Sequence, residues 1–280
     1  RMSGDVDPIL KNRDLIDAFL IASGVFDRAK RDAYSRRLDE ITAAARAATV
    51  SAKTPSARGD ALLKFLHIGP MKGGYVAQQT RLSVLLDTGK FNCVSATALY
   101  QIVGRRLGLA VRALSIPSNV EGHAMSMLVE ANGRIDVETT NPDGFDFKSK
   151  VKESGATVIG VQLDPASGHD VRDQGLASLV AQNLASGGGK HADHRAAVQA
   201  ALVGLAPDPA ENAQANNFVA AVNNWAMFLG EINKYEEALA VNQFGLELLP
   251  ADDTLAGNAD VLWLQYATLE AQANRAANAV

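Results

Sequence analysis

The strongest constraint on the fold of this 280-residue chain is a single change of hydrophobic period in its middle. Before Gly108 the apolar residues recur at helical spacing, and a glycine in this position is typical of a helix C-terminus. After it, apolar and polar residues alternate, as in strands with one buried face. One helix followed by successive strands predicts an α+β domain with an antiparallel sheet. The predicted strands are LAVRALSIP (109–117), HAMSMLVEA (123–131), RIDVETT (134–140) and ATVIGVQL (156–163), with a hairpin turn at Asn132-Gly133.

Helices are predicted on both sides of this region. Residues 14–47 have helical periodicity, residues 49–60 form a polar connector with proline and glycine, and ALLKFLHIG (61–69) predicts a short apolar helix. From Asp173 onward the pattern is helical throughout. We therefore expect two domains, residues 1–170 and residues 171–280.

The amino-acid composition limits the functional classes to which this chain can belong. The chain is 47% hydrophobic and 21% charged, with a net charge of −4, which is ordinary for a globular protein and argues against a nucleic-acid-binding one. Its single cysteine excludes an intramolecular disulfide and an all-cysteine zinc site. No run is long enough for a membrane span. The start Arg1-Met2-Ser3-Gly4 indicates a trimmed N-terminus, so both a cytoplasmic and an exported location fit.

The single cysteine, Cys93, opens the helix-period segment. A helix N-terminus favours the thiolate, and a nearby imidazole does so as well. Among the five histidines, His123 is the best partner because it opens a predicted strand that can face the start of a helix packed on the sheet. His169, by contrast, lies in SGHD (167–170), which is predicted to be a polar loop. The following strand offers Asp136 and Glu138 to orient that imidazole. These residues are candidates for a nucleophile, a base and an acid.

Strand parity and strand register make different predictions for this group. Residues of alternating position share one face of a strand, so His123 lies on the same face as Asp136 and Glu138. Strict pairing around an Asn132-Gly133 turn, however, sets Met127 opposite Glu138. His123 would then be roughly 13 Å from the acid, at about 3.3 Å per residue. A longer loop or a bulge would have to shift the register for the two to meet.

The segments GKFNCVSATALYQIVGRRLGL (89–109) and GHAMSMLVEANGRIDVETTNPDGFD (122–146) resemble the transglutaminase-like superfamily of papain-fold proteins. The resemblance covers about Tyr75 to Asp146. It implies a nucleophilic Cys93 at a helix start, His123 at the start of one strand, and Glu138 on the next, where aspartate is commoner.

The chemistry that this resemblance implies is acyl transfer on a protein or peptide substrate, without a cofactor. Cys93 would attack a carbonyl carbon, His123 would move the proton, and Glu138 would hold the imidazole. The backbone N–H of Cys93 would stabilise the oxyanion. Asn92 and either Gln78 or Gln79, which could fold back across the site, are further candidates for oxyanion stabilisation or for support of the site, and Asp136 is an alternative acid.

The C-terminal region contains an internal repeat. Two segments echo each other, one ending in Leu205 and Pro207 and the other in Leu248 and Pro250. In the second segment, Trp225, Leu229, Tyr235, Ala238 and Pro250 fall close to the preferred positions of a tetratricopeptide repeat, which this region resembles.

The resemblance implies stacked helix pairs that bind a protein partner. The HADH segment, with His191 and His194, is expected to start a helix and not to bind metal. An alternative for the whole chain is an inactive papain-fold protein that acts as a binding scaffold.

Overall fold

The computed structural model describes residues 15–116, 123–131, 133–147, 169–171, 173–185, 193–205 and 212–277. They form an α+β structure with long helices and small sheets. The described chain divides into two compact units, one up to Val180 and one from Ala181 onward. Each unit is described by itself below.

Three helices open the first unit, and their bounds differ from those predicted. The single helix expected over residues 14–47 is two helices, because the backbone turns at Ser23–Asp27 and Asp27 caps the second one by accepting from Lys30 N. The third helix begins inside the predicted connector, because Thr54 caps it and proline suits the first helical position. These helices are α1 (Leu15–Ala22), α2 (Arg28–Ala48) and α3 (Pro55–Ile68).

The helix that carries the cysteine lies at the centre of the unit. Two short parallel strands, β1 (Gly74–Tyr75) and β2 (Lys90–Phe91), and helix α4 (Leu82–Thr88) precede α5 (Cys93–Arg106). Every residue from Cys93 to Gly104 is buried, so α5 is enclosed on all sides and not along one apolar stripe. Gly108, at φ +80°, follows its end as predicted.

Helix α5 packs on an antiparallel sheet of four strands in the order β5-β4-β3-β6. The strands predicted at 109–117 and 123–131 are confirmed, whereas RIDVETT stops being a strand at Val137. A three-residue strand occupies the part of SGHD predicted as a polar loop. ATVIGVQL lies outside the described residues. The strands are β3 (Val111–Ile116), β4 (His123–Glu130), β5 (Gly133–Val137) and β6 (His169–Val171).

One face of the sheet carries a compact apolar cluster that supports the start of β4. Leu114 and Ile116 of β3 pack with Met125 and Met127 of β4 and with Phe147. Burying such side chains stabilises the fold by about 1.5–3 kcal/mol each.

The second unit consists of successive helices. In the described part of the chain, no helix is both long and apolar enough to cross a membrane. Gly245 is tightly enclosed, since a Cβ there would lie 2.8 Å from Leu255 and 2.9 Å from Val222. Asp193 accepts from Ala196 N, so the HADH segment does start a helix. The helices are α6 (Asp173–Ala185), which crosses the division, α7 (His194–Leu205), α8 (Asn212–Glu231), α9 (Tyr235–Leu248) and α10 (Asp253–Ala277).

Candidate active site

Cys93 is the first residue of α5, and the residues around it form a complete helix cap. The Asn92 Oδ1 accepts from the backbone N–H groups of Val94 and Ser95, at 3.1 and 3.2 Å. The Ser95 hydroxyl in turn accepts from Asn92 N at 3.0 Å, which completes a capping box. The cap holds the thiol at the positive end of the helix dipole.

The segment before α4 is tied to this cap. Asn92 Nδ2 donates to Ala77 O at 3.0 Å, and the Ser95 hydroxyl donates to Gln79 O at 2.9 Å. Val76 N donates to Phe91 O at 2.7 Å. Gln79 is therefore positioned beside the first turn of α5.

The observed register of the hairpin corrects the predicted one. Glu130 pairs with Gly133, and Met127 pairs with Asp136, so Gly133 is the first strand residue and not part of the turn; Asn132 lies outside the described residues. The expectation that Met127 faces Glu138 is therefore wrong. The predicted parity is retained, because the shift is a whole two-residue period. Glu138 is thereby brought two residues closer to His123.

His123 and Glu138 are in direct contact. The His123 Nε2 lies 2.5 Å from Glu138 Oε2, and the two side chains are 11% and 0% exposed. The other carboxylate oxygen, Oε1, accepts from Thr140 N at 2.9 Å and from the Thr140 hydroxyl at 2.7 Å. Both oxygens of this buried acid are thus satisfied, as a buried charge requires.

The chain folds back on itself directly after the acid. Glu138 N donates to Gly144 O at 2.8 Å, and Val137 bridges Phe145. A Cβ at Gly144 would collide with Glu138 O and would lie 2.8 Å from Glu138 Cβ. Only glycine fits there, so this tight loop determines where the carboxylate lies.

The electrostatics of the site favour a charged imidazole. Burial lowers the pKa of His123, but the charge of Glu138 and the hydrogen bonds to Cys93 and Glu138 raise it more, and the pKa reaches about 10. Because the ring bonds Glu138 through Nε2 and also interacts with Cys93, which raises the pKa of His123 as well, it links acid and thiol. A charged imidazole beside a thiol at a helix start is the arrangement that a nucleophilic cysteine needs.

The three supporting candidates differ in their surroundings. Asn92 is a helix cap with both side-chain polar atoms bonded. Asp136 is buried and pairs with Arg134 Nε at 3.0 Å. Gln79 Nε2 is buried and has no acceptor among the residues that the structure describes. Within the same residues, no acceptor receives the Cys93 backbone N–H either. Gln79 also bonds the first turn of α5 through its backbone oxygen, so both of these residues belong to the start of that helix.

Two further side chains support the acid and were not singled out from the sequence. His67 of α3 donates from Nε2 to Thr139 O at 3.1 Å, and burial lowers its pKa. The Thr97 hydroxyl of α5 shares a hydrogen bond of 2.9 Å with the Thr139 hydroxyl. The Thr139-Thr140 pair directly after Glu138 was the sequence signal that could have indicated the Thr97–Thr139 contact. No local sequence feature indicated the contact of His67.

Comparisons with known proteins found no match to this chain. A scan against protein-family models found no match, and searches of curated proteins and of solved structures found none. Across the described ranges, no group of three histidine, cysteine, aspartate or glutamate side chains could hold a metal ion.

Proposed function

We propose that this protein is a cysteine-dependent acyl-transfer enzyme, a peptide or amide hydrolase or a transamidase, built on a transglutaminase-like core. The observation that carries the proposal is that His123 Nε2 lies 2.5 Å from the buried Glu138 carboxylate, while Cys93 lies close enough to this imidazole to raise the pKa of His123. A buried acid, an imidazole and a thiol at a helix start, joined in this order, are the parts that nucleophilic cysteine catalysis needs. The transglutaminase-like resemblance of residues 75–146 supports the same chemistry.

The reaction would run in two balanced steps. The Cys93 thiolate attacks the carbonyl carbon of an amide, the S–C bond forms, and the carbonyl electron pair moves to oxygen. On collapse the C–N bond breaks, and the leaving amine takes the proton from His123. Water or an amine then attacks the thioester, gives its proton to His123, and the C–S bond breaks to regenerate the thiolate.

The free donors suggest how the oxyanion is held. The Cys93 N–H lies at the helix N-terminus. Gln79 bonds the same turn through its backbone oxygen, and its buried side-chain amide has no acceptor in the part of the chain that the structure describes. Two such N–H groups would stabilise a negative oxygen that is present only in the tetrahedral intermediate. We therefore assign Cys93 N and Gln79 Nε2 to the oxyanion hole, and Asn92 to the cap.

One observation favours a second candidate function. Cys93 is only 8% exposed, as expected for an inert thiol that packs as a small hydrophobe. In that case the core would be an inactive scaffold. In both candidates, the tetratricopeptide-like helices from α7 onward would bind a protein partner.

Thiol labelling separates the two candidates. With iodoacetamide at pH 7, the enzyme proposal expects Cys93 to label at least about tenfold faster than N-acetylcysteine, because the charged His123 stabilises the thiolate. His123→Ala and Glu138→Gln should each slow the reaction, whereas Glu130→Gln, the same change on the same sheet, should not. Labelling no faster than N-acetylcysteine in the wild type would favour the scaffold.

A further inference from the structure

A small apolar pocket opens in the second unit, and none of its lining residues belongs to the candidate active site. It lies between α7 and α9, with Trp225 of α8 among its lining residues, and its volume is about 160 Å³. Residues of α7 and α9 supply most of its wall. They include Val198, Leu202, Val241 and Phe244.

The size of the pocket limits what can enter it. Sites for small organic ligands are usually about 300–1,000 Å³, and a cavity of about 150 Å³ holds one benzene ring. This pocket therefore accepts a single ring or a branched aliphatic group. A larger ligand must keep the rest of its surface outside, as a polypeptide does when it inserts one side chain.

The rim of the pocket carries unused polar groups. Arg195 is exposed, and within the described ranges no carboxylate pairs with it. Gln199, one turn further along α7, is half-buried and likewise has no hydrogen-bond partner there. A free guanidinium beside an apolar pocket is complementary to a carboxylate next to an apolar group.

We propose that this pocket is the anchor site for a polypeptide partner. The partner inserts one aromatic or leucine-like side chain over Trp225 and places a neighbouring acidic residue against Arg195. The inference rests on the partner-binding role proposed above for the helices, and not on the acyl-transfer reaction. A desolvated anchor of this kind carries most of the binding free energy of an interface.

The test uses the full chain with Trp263→Phe, which leaves Trp225 as the single tryptophan and as the reporter. The probe is the peptide Ac-Gly-Phe-Glu-Gly-NH2, compared with matched peptides in which alanine replaces phenylalanine or glutamine replaces glutamate. We expect a saturable change in Trp225 fluorescence. The alanine peptide should bind at least tenfold more weakly, and the glutamine peptide several-fold more weakly. The absence of a saturable change would overturn the proposal.

Variants of the pocket complete the test. Ala240→Phe, at an exposed position of the wall, should fill the pocket and abolish binding. Arg195→Gln should weaken binding several-fold, whereas Lys234→Gln, the same charge change outside the wall, should not. Binding that survives Ala240→Phe would overturn the proposal. If 3-phenylpropionate bound as tightly as the probe peptide, the proposal that the occupant is a polypeptide would be overturned. Cys93 labelling is measured separately, so failure of either proposal is recognised independently.

Discussion

The Nε2 of His123 lies 2.5 Å from Oε2 of Glu138, although Glu138 comes one residue after the last residue of β5. The register of the hairpin and the loop that follows both produce this contact. With side chains 11% and 0% exposed, removal of either partner would leave the other charge buried and uncompensated, which is strongly destabilising.

The first prediction concerns the titration of His123. Its midpoint should be about 10 in the wild type, and Glu138→Gln should lower it, because burial opposes the charge and the acid no longer offsets burial. NMR of ring-labelled histidine, assigned with His123→Gln, measures both midpoints. The same midpoint in wild type and variant would contradict the proposed pairing.

The raised pKa of His123 also predicts the sign of a stability change. A histidine whose folded pKa is raised contributes stability that is complete below the unfolded value of about 6.5. This contribution is lost as the pH rises through about 10. The difference in unfolding free energy between wild type and Glu138→Gln should therefore be largest near pH 6.5 and should shrink toward pH 10. Urea titrations across this range would measure it, and a difference that grows with pH would refute it.

Thr140→Val should weaken the hydrogen bonding that positions the Glu138 carboxylate. The change removes the hydroxyl that donates to Glu138 Oε1 at 2.7 Å and keeps the backbone donor. We expect a loss of about 1.5–3 kcal/mol of unfolding free energy, since the acceptor is charged, and slower labelling of Cys93. Thr140→Ser should restore both. Thr268→Val, whose hydroxyl bonds within its own exposed helix, should change stability by no more than about 0.5 kcal/mol.

Gly144→Ala should displace the acid through a steric clash. The added Cβ would collide with the Glu138 backbone, so we expect a loss of about 1–3 kcal/mol and slower labelling. Gly257→Ala is the matched control, because a Cβ there meets no atom within 4 Å. In a helix that change should stabilise by about 0.5–1 kcal/mol. Equal behaviour of the two variants in thermal melts and labelling would argue against the tight loop.

Asn92→Ala should cost about 0.5–2 kcal/mol, because it removes the cap of α5. It should also slow labelling, since the helix start that carries the thiol loses its support. Asp27→Ala removes the equivalent cap of α2 and should cost similar stability without changing labelling. A slowing in both variants would mean that labelling reports general stability and not the geometry at Cys93.

Much of the local structure of the site could be predicted from the sequence. The Cys93 helix, its end at Gly108, and the strands at 109–117 and 123–131 were predicted correctly, whereas the strand predicted at 134–140 ends at Val137. His123 and Glu138 meet, as their predicted shared face allows. The wrong predictions concern where elements meet. The turn was placed one residue too far along the chain, which put the acid opposite Met127, and the short strand β6 was taken for a loop.

What the sequence by itself determined is local: where α5 starts, and which residues of each strand share a face. These depend on helix capping, on glycine and on the two-residue period of a strand, all of which act over a few neighbouring residues. The tertiary structure decided the register of β4 and β5, the return of the chain at Gly144, and the support from His67. Those features depend on cross-strand hydrogen bonds and on packing between residues far apart in sequence, so no local pattern encodes that His123 meets Glu138.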